Sequence, residues 1–341
     1  MERTPLVSVV MPAYNSEQFI RQAIDSFLNQ DYPNAELIVV NDGSSDKTEL
    51  ILKEYADIHD NISYYTLTNS GSAKYPRDYA IYKAKGEYIL TLDSDDILGA
   101  GYISKMIETI IKFNADIVFP RMMVFNNPDY SNILFELPIT SIAKYTQFKG
   151  CDLIKYTLNG WKLGCNGGLY KKNKMTNLSY PKNSRPIYMN SDEFDSRLYI
   201  LNSSSVVFSD AQYFYRVIDN SVSRKLSKKL FEPILTDIDV HKLISRYYPT
   251  DSVEYVLSHR NLFNILRYLH LYCKNLDLFK EDESKYIINI FNLSIQTSSF
   301  SLELSKIGMI HIYCYIIVKC NLYKYLFYLW KLKKFLTTER L

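Results

Sequence analysis

Three carboxylates stand together at Asp93, Asp95 and Asp96, directly after the apolar run Tyr88-Ile89-Leu90-Thr91-Leu92. Carboxylates bunched at the end of a buried strand repel one another, and each like-charged neighbour raises the cost of ionisation unless a cation is present. Oxygen ligands of this kind suit Mg²⁺ or Mn²⁺, ions that also neutralise a diphosphate. An acidic turn that caps a helix is the alternative reading of the same residues. Other chemistries lack their signatures. Pro12-Ala13-Tyr14-Asn15 stands where a dinucleotide fold would carry G-x-G-x-x-G, and G-x-x-x-x-G-K-[ST] is absent. Neither H-E-x-x-H nor G-x-S-x-G occurs. The histidines are scattered and read as ordinary surface or core residues. Cys151, Cys165, Cys273, Cys314 and Cys320 are odd in number and lack zinc-ligand spacing, so reduced core thiols are expected.

The acidic cluster needs a frame, and the first 120 residues supply one. Leu6 to Met11 is an apolar, β-rich run stopped by Pro12, and Leu37 to Val40, Ile62 to Leu67 and Tyr88 to Leu92 follow it as further strands. Asn15, with Gln18 three positions on, predicts a capped helix that buries Phe19, Ala23, Ile24, Phe27 and Leu28. Asp46 with Glu49 predicts a second, running to Tyr55, and a third has its core at Asp78 to Lys85. Strands alternating with helices imply a parallel sheet with right-handed crossovers, whose ligands bind beyond the strands' carboxyl ends. Pro12-Ala13-Tyr14-Asn15, Asn41-Asp42-Gly43 and Asp93-Ser94-Asp95-Asp96 all stand there.

Composition fits a folded α/β chain. The 341 residues are 47% hydrophobic and 23% charged, with a net charge of +3, which argues against a dedicated nucleic-acid binder. No signal peptide is expected, since Met1-Glu2-Arg3-Thr4-Pro5 runs straight into the first strand. The longest largely apolar run, Ile307 to Val318, is short of the roughly 20 residues a bilayer span needs. From about Ser227 the sequence turns helical, aromatic and Lys-rich, so a domain of residues 1–226 and a helical region of 227–341 are expected. Residues 301–341 carry seven basic residues against two acidic ones, +5 in all, which leaves −2 for the rest. A basic, aromatic end of this kind is what a protein on an anionic leaflet presents, while a packed helical hairpin or a homodimer contact would use the same residues.

Four segments together resemble the family 2 glycosyltransferases: Val7 to Asn15, Val39 to Asp46, Ala84 to Ile89, and Asp93-Ser94-Asp95-Asp96. The resemblance is strong over residues 5–120 and weaker to about 225, where Tyr213-Phe214-Tyr215-Arg216 and Asn220-Ser221-Val222-Ser223 match the family's end-of-domain pattern. It implies a GT-A fold: a Rossmann-like, mostly parallel sheet flanked by helices, binding a nucleoside diphosphate sugar and a divalent metal. By this resemblance Pro12, Ala13, Tyr14 and Asn15 line the base and ribose, and Asp42 accepts hydrogen bonds from them. Asp93 and Ser94 face the nucleotide, and Asp95 ligates Mn²⁺ or Mg²⁺.

An inverting displacement also needs a base for the acceptor hydroxyl. The family's Glu-Asp pair is matched by Asp192-Glu193 in reversed order, so Glu193 is the base by position and Asp192 by residue type. Arg77 keeps the place of the family's arginine and is assigned to the donor phosphate, while Asp78 replaces an asparagine. The expected activity is hexose or hexosamine transfer from a UDP-sugar to a glycan or lipid-linked glycan in surface polysaccharide assembly. The expected location is the cytoplasm, including the cytoplasmic face of the inner membrane. A metal-dependent nucleotidyltransferase and a degenerate sugar-nucleotide-binding protein are the alternatives.

Overall fold

Val7-Ser8-Val9-Val10-Met11-Pro12-Ala13 forms β1 (Val7–Ala13), and all seven residues are buried. A strand with no polar face belongs inside a sheet covered on both sides. β2 (Ala35–Asn41) and β4 (Tyr88–Thr91) flank it, and β3 (Ile62–Thr66) pairs with β2, all in parallel. The computed structural model describes residues 4–127, 130–137, 145–158, 166–178, 187–218, 226–247 and 251–297.

The crossovers are α1 (Ile20–Leu28), α2 (Thr48–Ile58) and α3 (Lys74–Lys83). Ile20, Ala23, Ile24 and Phe27 recur at helical spacing and join the core with Val9, Met11, Leu37, Val39 and Leu90. α4 (Tyr102–Lys112) adds Ile103, Met106, Ile107 and Ile110. One helix start differs from the sequence reading. Asn15 does not cap α1; the amides of Phe19 and Ile20 both reach the Ser16 carbonyl, at 2.9 Å each, and α1 begins five residues beyond the expected cap. α3 overlaps the expected core, beginning at Lys74 and ending at Lys83, with Pro76 in its first turn, where its missing N–H is not needed.

The second half of the sheet changes direction. β6 (Ile117–Phe125) and β10 (Val206–Arg216) pair in parallel, and β9 (Leu169–Lys171) runs antiparallel between β4 and β6. β5 (Ile97–Leu98) lies antiparallel to β10, with Tyr213 opposite Leu98 and Phe214 opposite Ile97. β7 (Ile133–Glu136) and β8 (Gln147–Phe148) pair off this path, so the order is β3-β2-β1-β4-β9-β6-β10-β5. The sheet is therefore mixed: parallel in the half that the apolar runs announce, and joined by short antiparallel strands to the rest. α5 (Gly150–Thr157), α6 (Lys172–Thr176) and α7 (Ser191–Leu201) complete this part. Asn41 lies opposite Ala13, and Thr91 opposite Val10, so the polar segments after β1, β2 and β4 leave the sheet on one edge.

The chain divides into two compact units, Met1–Ile187 with Ser191–Ser221, and Tyr188–Asn190 with Val222–Leu341. The second contains α8 (Pro233–Tyr247), α9 (Asp251–Lys274) and α10 (Glu281–Thr297). Phe231 is the hub of its core, with the Phe279, Tyr268, Tyr272 and Phe291 rings 5.7–6.1 Å away. His241 is buried there against Asn261, as expected of an ordinary core residue. Among the described residues no helix is long and apolar enough to cross a membrane. The segment 301–341, Trp161 to Cys165, Pro181, Pro186 and Asn220 to Ser223 lie outside the described residues.

Gly86 shows how tightly β1 meets the turn before β4. Its N–H donates to Ser8 Oγ at 2.8 Å, and a Cβ there would lie 2.7 Å from both the Leu6 carbonyl and the Ser8 amide nitrogen. Both obstacles are backbone, one in the buried β1 and one in the residue before it. Gly86→Ala is expected to lower stability by about 1–3 kcal/mol through forced strand displacement. It should shift the denaturant midpoint at unchanged slope, and an unshifted midpoint would contradict this packing.

Candidate active site

The acidic turn after β4 is built into the protein by β10. The Asp93 N–H donates to Tyr213 Oη at 3.2 Å, and Tyr213 Oη donates to Asp96 Oδ2 at 2.8 Å. The Arg216 N–H donates to Asp96 Oδ1, also at 2.8 Å. Both oxygens of the buried Asp96 are thus taken by protein donors. The Arg216 side chain binds the turn from another side: Nε donates to the Asp95 carbonyl at 2.8 Å and Nη2 to Gln22 Oε1 at 2.7 Å. Its guanidinium lies 4.9 Å from the Phe19 ring centre and 4.6 Å from that of Phe125. Stacking on both rings fixes its direction.

The carboxylates of Asp93, Asp95 and Asp96 each bring an oxygen within 4.8 Å of the others. Asp93 is held by Arg77 Nη2 at 3.3 Å and by Asn166 Nδ2. Asp95 differs from its neighbours, because its carboxylate meets no other side-chain donor among the described residues. Burial first, and the charge of Asp93 second, push its carboxyl up to about 7. Burial, then Asp95 and Asp93, raise Asp96 further above the ordinary carboxylate range. Tyr213 is raised as well, by burial and then by Asp96 and Asp93, so it keeps its proton and remains a donor. An all-oxygen set with one uncommitted, charge-crowded carboxylate fits a hard divalent cation. Asp95 could hold such a cation, with Asp93 beside it, whereas Asp96 is committed to Tyr213 and Arg216.

The loops after β1 and β2 lock together next to this turn. Pro12 and Ala13 are buried and Tyr14 is 46% exposed. Asn15 adopts a left-handed φ of 47°, which turns its Oδ1 to accept the Ser45 N–H at 2.8 Å, while its own N–H donates to Ser44 Oγ at 2.9 Å. Ser44 Oγ in turn donates to Asn41 Oδ1 at 2.6 Å. The Asp42 N–H continues the sheet to the Ala13 carbonyl at 2.8 Å, and its carboxylate takes the Ser70 N–H and Oγ at 2.9 and 3.0 Å. Each Asp42 oxygen keeps a second lone pair for a ligand. Gly43 has φ +68°, and a Cβ there would lie 2.8 Å from the Asn69 nitrogen, so only glycine lets Ser70 approach Asp42. Ser94 Oγ joins Ser16 Oγ at 2.7 Å and ties the acidic turn to the β1 loop.

Asp46 acts one step from its expected place. It accepts the N–H of Thr48, the first residue of α2, and that of Glu17, both at 3.0 Å, while Glu49 turns to Thr66 Oγ1 instead of closing a capping box. Asp192 and Glu193 enter by a separate route, on the first turn of α7. The fully buried Arg197 donates through Nη1 to the Glu193 carbonyl at 2.8 Å and lies 3.3 Å from Glu193 Oε2. Its Nη2 donates to the Thr157 carbonyl at 3.2 Å. Two residues further along α7, Asp195 accepts Lys74 Nζ from α3.

The site therefore joins Pro12 to Asn15, Asp42, Arg77 and Asp93 to Asp96 through short polar contacts. Sequence reading assigned no role to Ser70, Asn166, Tyr213 or Arg216. Tyr213 and Arg216 belong to the segment Tyr213-Phe214-Tyr215-Arg216, and Asn166 precedes Gly167-Gly168; Ser70 carries no signal of its own.

Residues 8–172 match the family model for glycosyl transferase family 2. Those residues form a family 2 glycosyltransferase domain. It is 27% identical over 234 residues to glycosyltransferase GlyA of Streptococcus pneumoniae, covering 65% of this chain. It is 30% identical over 214 residues to the poly(ribitol-phosphate) beta-glucosyltransferase of Bacillus spizizenii, covering 62% of this chain. The chain spans 32% of the length of either relative. The S. aureus TarS structure (residues 1–349, in complex with UDP-GlcNAc) superposes with a TM-score of 0.64 at 20% identity, over 86% of this chain and 81% of that one. The glycosyltransferase domain thus has the GT-A fold, with its polar strand ends and acidic turn on one edge.

Crowding at Asp95 has a measurable consequence. The folded carboxyl titrates near 7 and an unfolded one near 3.9, so between these values the unfolded chain ionises first and folding loses stability as pH rises. Asp95→Asn removes that loss. It is expected to raise the melting temperature of the metal-free chain at pH 8 by several degrees, and by about a third as much at pH 5. Scanning fluorimetry at the two pH values checks this; a lower melting temperature at pH 8 would show that the ionised carboxylate is satisfied without a cation.

Proposed function

We propose that the chain is an inverting, metal-dependent glycosyltransferase that moves a hexose or hexosamine from a UDP-sugar to a glycan or lipid-linked glycan of a cell-surface polysaccharide. The observation that carries the reading is the uncommitted carboxylate of Asp95 in a crowded acidic turn, beside the interlocked loops after β1 and β2. The UDP-GlcNAc bound in TarS and the acceptor named for the B. spizizenii relative support the donor and acceptor classes. Pro12, Ala13, Tyr14 and Asn15 would line the base and ribose, and Asp42 would accept their hydrogen bonds. Asp93 and Ser94 would face the ribose, and Arg77 the donor phosphate. Asp95 would hold Mn²⁺ or Mg²⁺, which when bound offsets the charge of the leaving diphosphate.

Transfer then needs one displacement. The acceptor oxygen forms a bond to the anomeric carbon while the bond from that carbon to the diphosphate oxygen breaks, which inverts the centre. The hydroxyl proton passes to a carboxylate on the face opposite the leaving group. Glu193 is our choice for that base, since the contact with Arg197 orients its carboxylate, and Asp192 is the second candidate. Residues 1–226 would form the catalytic domain.

Two experiments test this reading. UDP with Mn²⁺ is expected to raise the melting temperature, and Asp95→Ala to abolish that rise; no shift with any nucleoside diphosphate sinks the donor assignment. Glu193→Gln is expected to lower UDP release from a donor panel by about 10²–10⁴-fold with UDP binding intact. A loss confined to Asp192→Asn transfers the role to Asp192.

A further inference from the structure

A lysine ammonium is rarely removed from water, yet Lys74 has a side chain only 6% exposed. Its Nζ lies 2.8 Å from Asp195 Oδ2, whose side chain is 8% exposed, and 3.0 Å from Asp78 Oδ2. Asp78 follows Arg77 on α3, and Arg77 reaches Asp93 of the acidic turn at 3.3 Å. Asp195 sits one turn along α7 from Asp192. The ammonium therefore bridges the helix that carries the arginine of the donor site and the helix that carries both base candidates. Its position also accounts for Asp78, whose carboxylate is taken up by Lys74 rather than left to face a donor phosphate.

We infer that Lys74 is a positioning residue, which holds the first turn of α7 at a fixed distance from α3 so that Asp192 and Glu193 meet the acceptor hydroxyl in register with the donor. Buried ion pairs add little net stability over apolar neighbours of similar size, and their best-attested return is a single, fixed geometry. A short polar link between two helices is such a device. What α7 does in this inference rests on the glycosyltransferase reading above; that Lys74 fixes α7 does not.

Lys74→Met tests it, together with two companions. UDP and Mn²⁺ should stabilise Lys74→Met as they do the parent chain, while kcat for UDP release falls about 10–100-fold at a nearly unchanged KM for the donor. Lys74→Arg, which can reach both carboxylates, should keep turnover within about threefold of the parent. Because Lys74→Met leaves Asp195 buried without its cation, Lys74→Met with Asp195→Leu removes both charges; it should recover the parent's melting temperature and stay as slow as the single variant. Full turnover in that stable double variant, or loss of UDP binding in step with turnover in Lys74→Met, overturns the inference. If the parent chain turns over no donor at all, the functional reading has failed instead. Amide exchange over residues 194–197 then decides, with faster exchange expected in the double variant and unchanged exchange overturning the inference.

Discussion

The structure depends on keeping three neighbouring carboxylates at the edge of a buried sheet. Isolated, that arrangement is unfavourable, since desolvation and mutual repulsion act in the same direction. The protein resolves it unequally. Asp96 is saturated by Tyr213 and the Arg216 amide, Asp93 is held by Arg77 and Asn166, and Asp95 keeps the unrelieved share. The division leaves one carboxylate that gains from a cation, flanked by two whose orientation does not depend on one.

The mixed sheet follows from the same requirement. The parallel strands β1 to β4 deliver polar loops to one edge, as a doubly wound sheet does. They do not supply donors for a turn that points away from β4. β10 does, by running the length of the sheet's second half and ending beside β5, so that its last residues face the turn. β9 makes this reach possible by pairing with both β4 and β6. Arg216 is thus a packing residue for Phe19 and Phe125 and a donor to the Asp95 backbone at once.

Much of this was legible in the sequence, for physical reasons. β1, β2 and β4 are continuous apolar runs because both their faces are covered, and the acidic turn stands out because it interrupts one. The places that misled share a cause: local signals lost to distant partners. Asn15 has the residue type of a cap, but Ser45 offers its side chain a better-placed N–H across the loop pair. Lys74 carries no local signal of burial, because its partner Asp195 lies 121 positions away. β9 has three residues, too few to show a period. Tyr213 and Arg216 could be noted as a pattern, but their task is visible only once β10 lies next to the turn.

The span between the acidic turn and its donors also orders events at synthesis. Tyr213 lies 117 residues after Asp96. At about 5–20 residues per second, a ribosome takes roughly 6–23 s to make that stretch. During that interval β1 to β4 can pair while Asp96 has neither of its two donors and stays hydrated. The sheet's first half is thus completed around an open rim, and the arrival of β10 both closes the fold and draws the carboxylates out of water. Nascent chains cut short before residue 213 should therefore carry a formed parallel core whose acidic turn has not yet acquired its raised proton affinity.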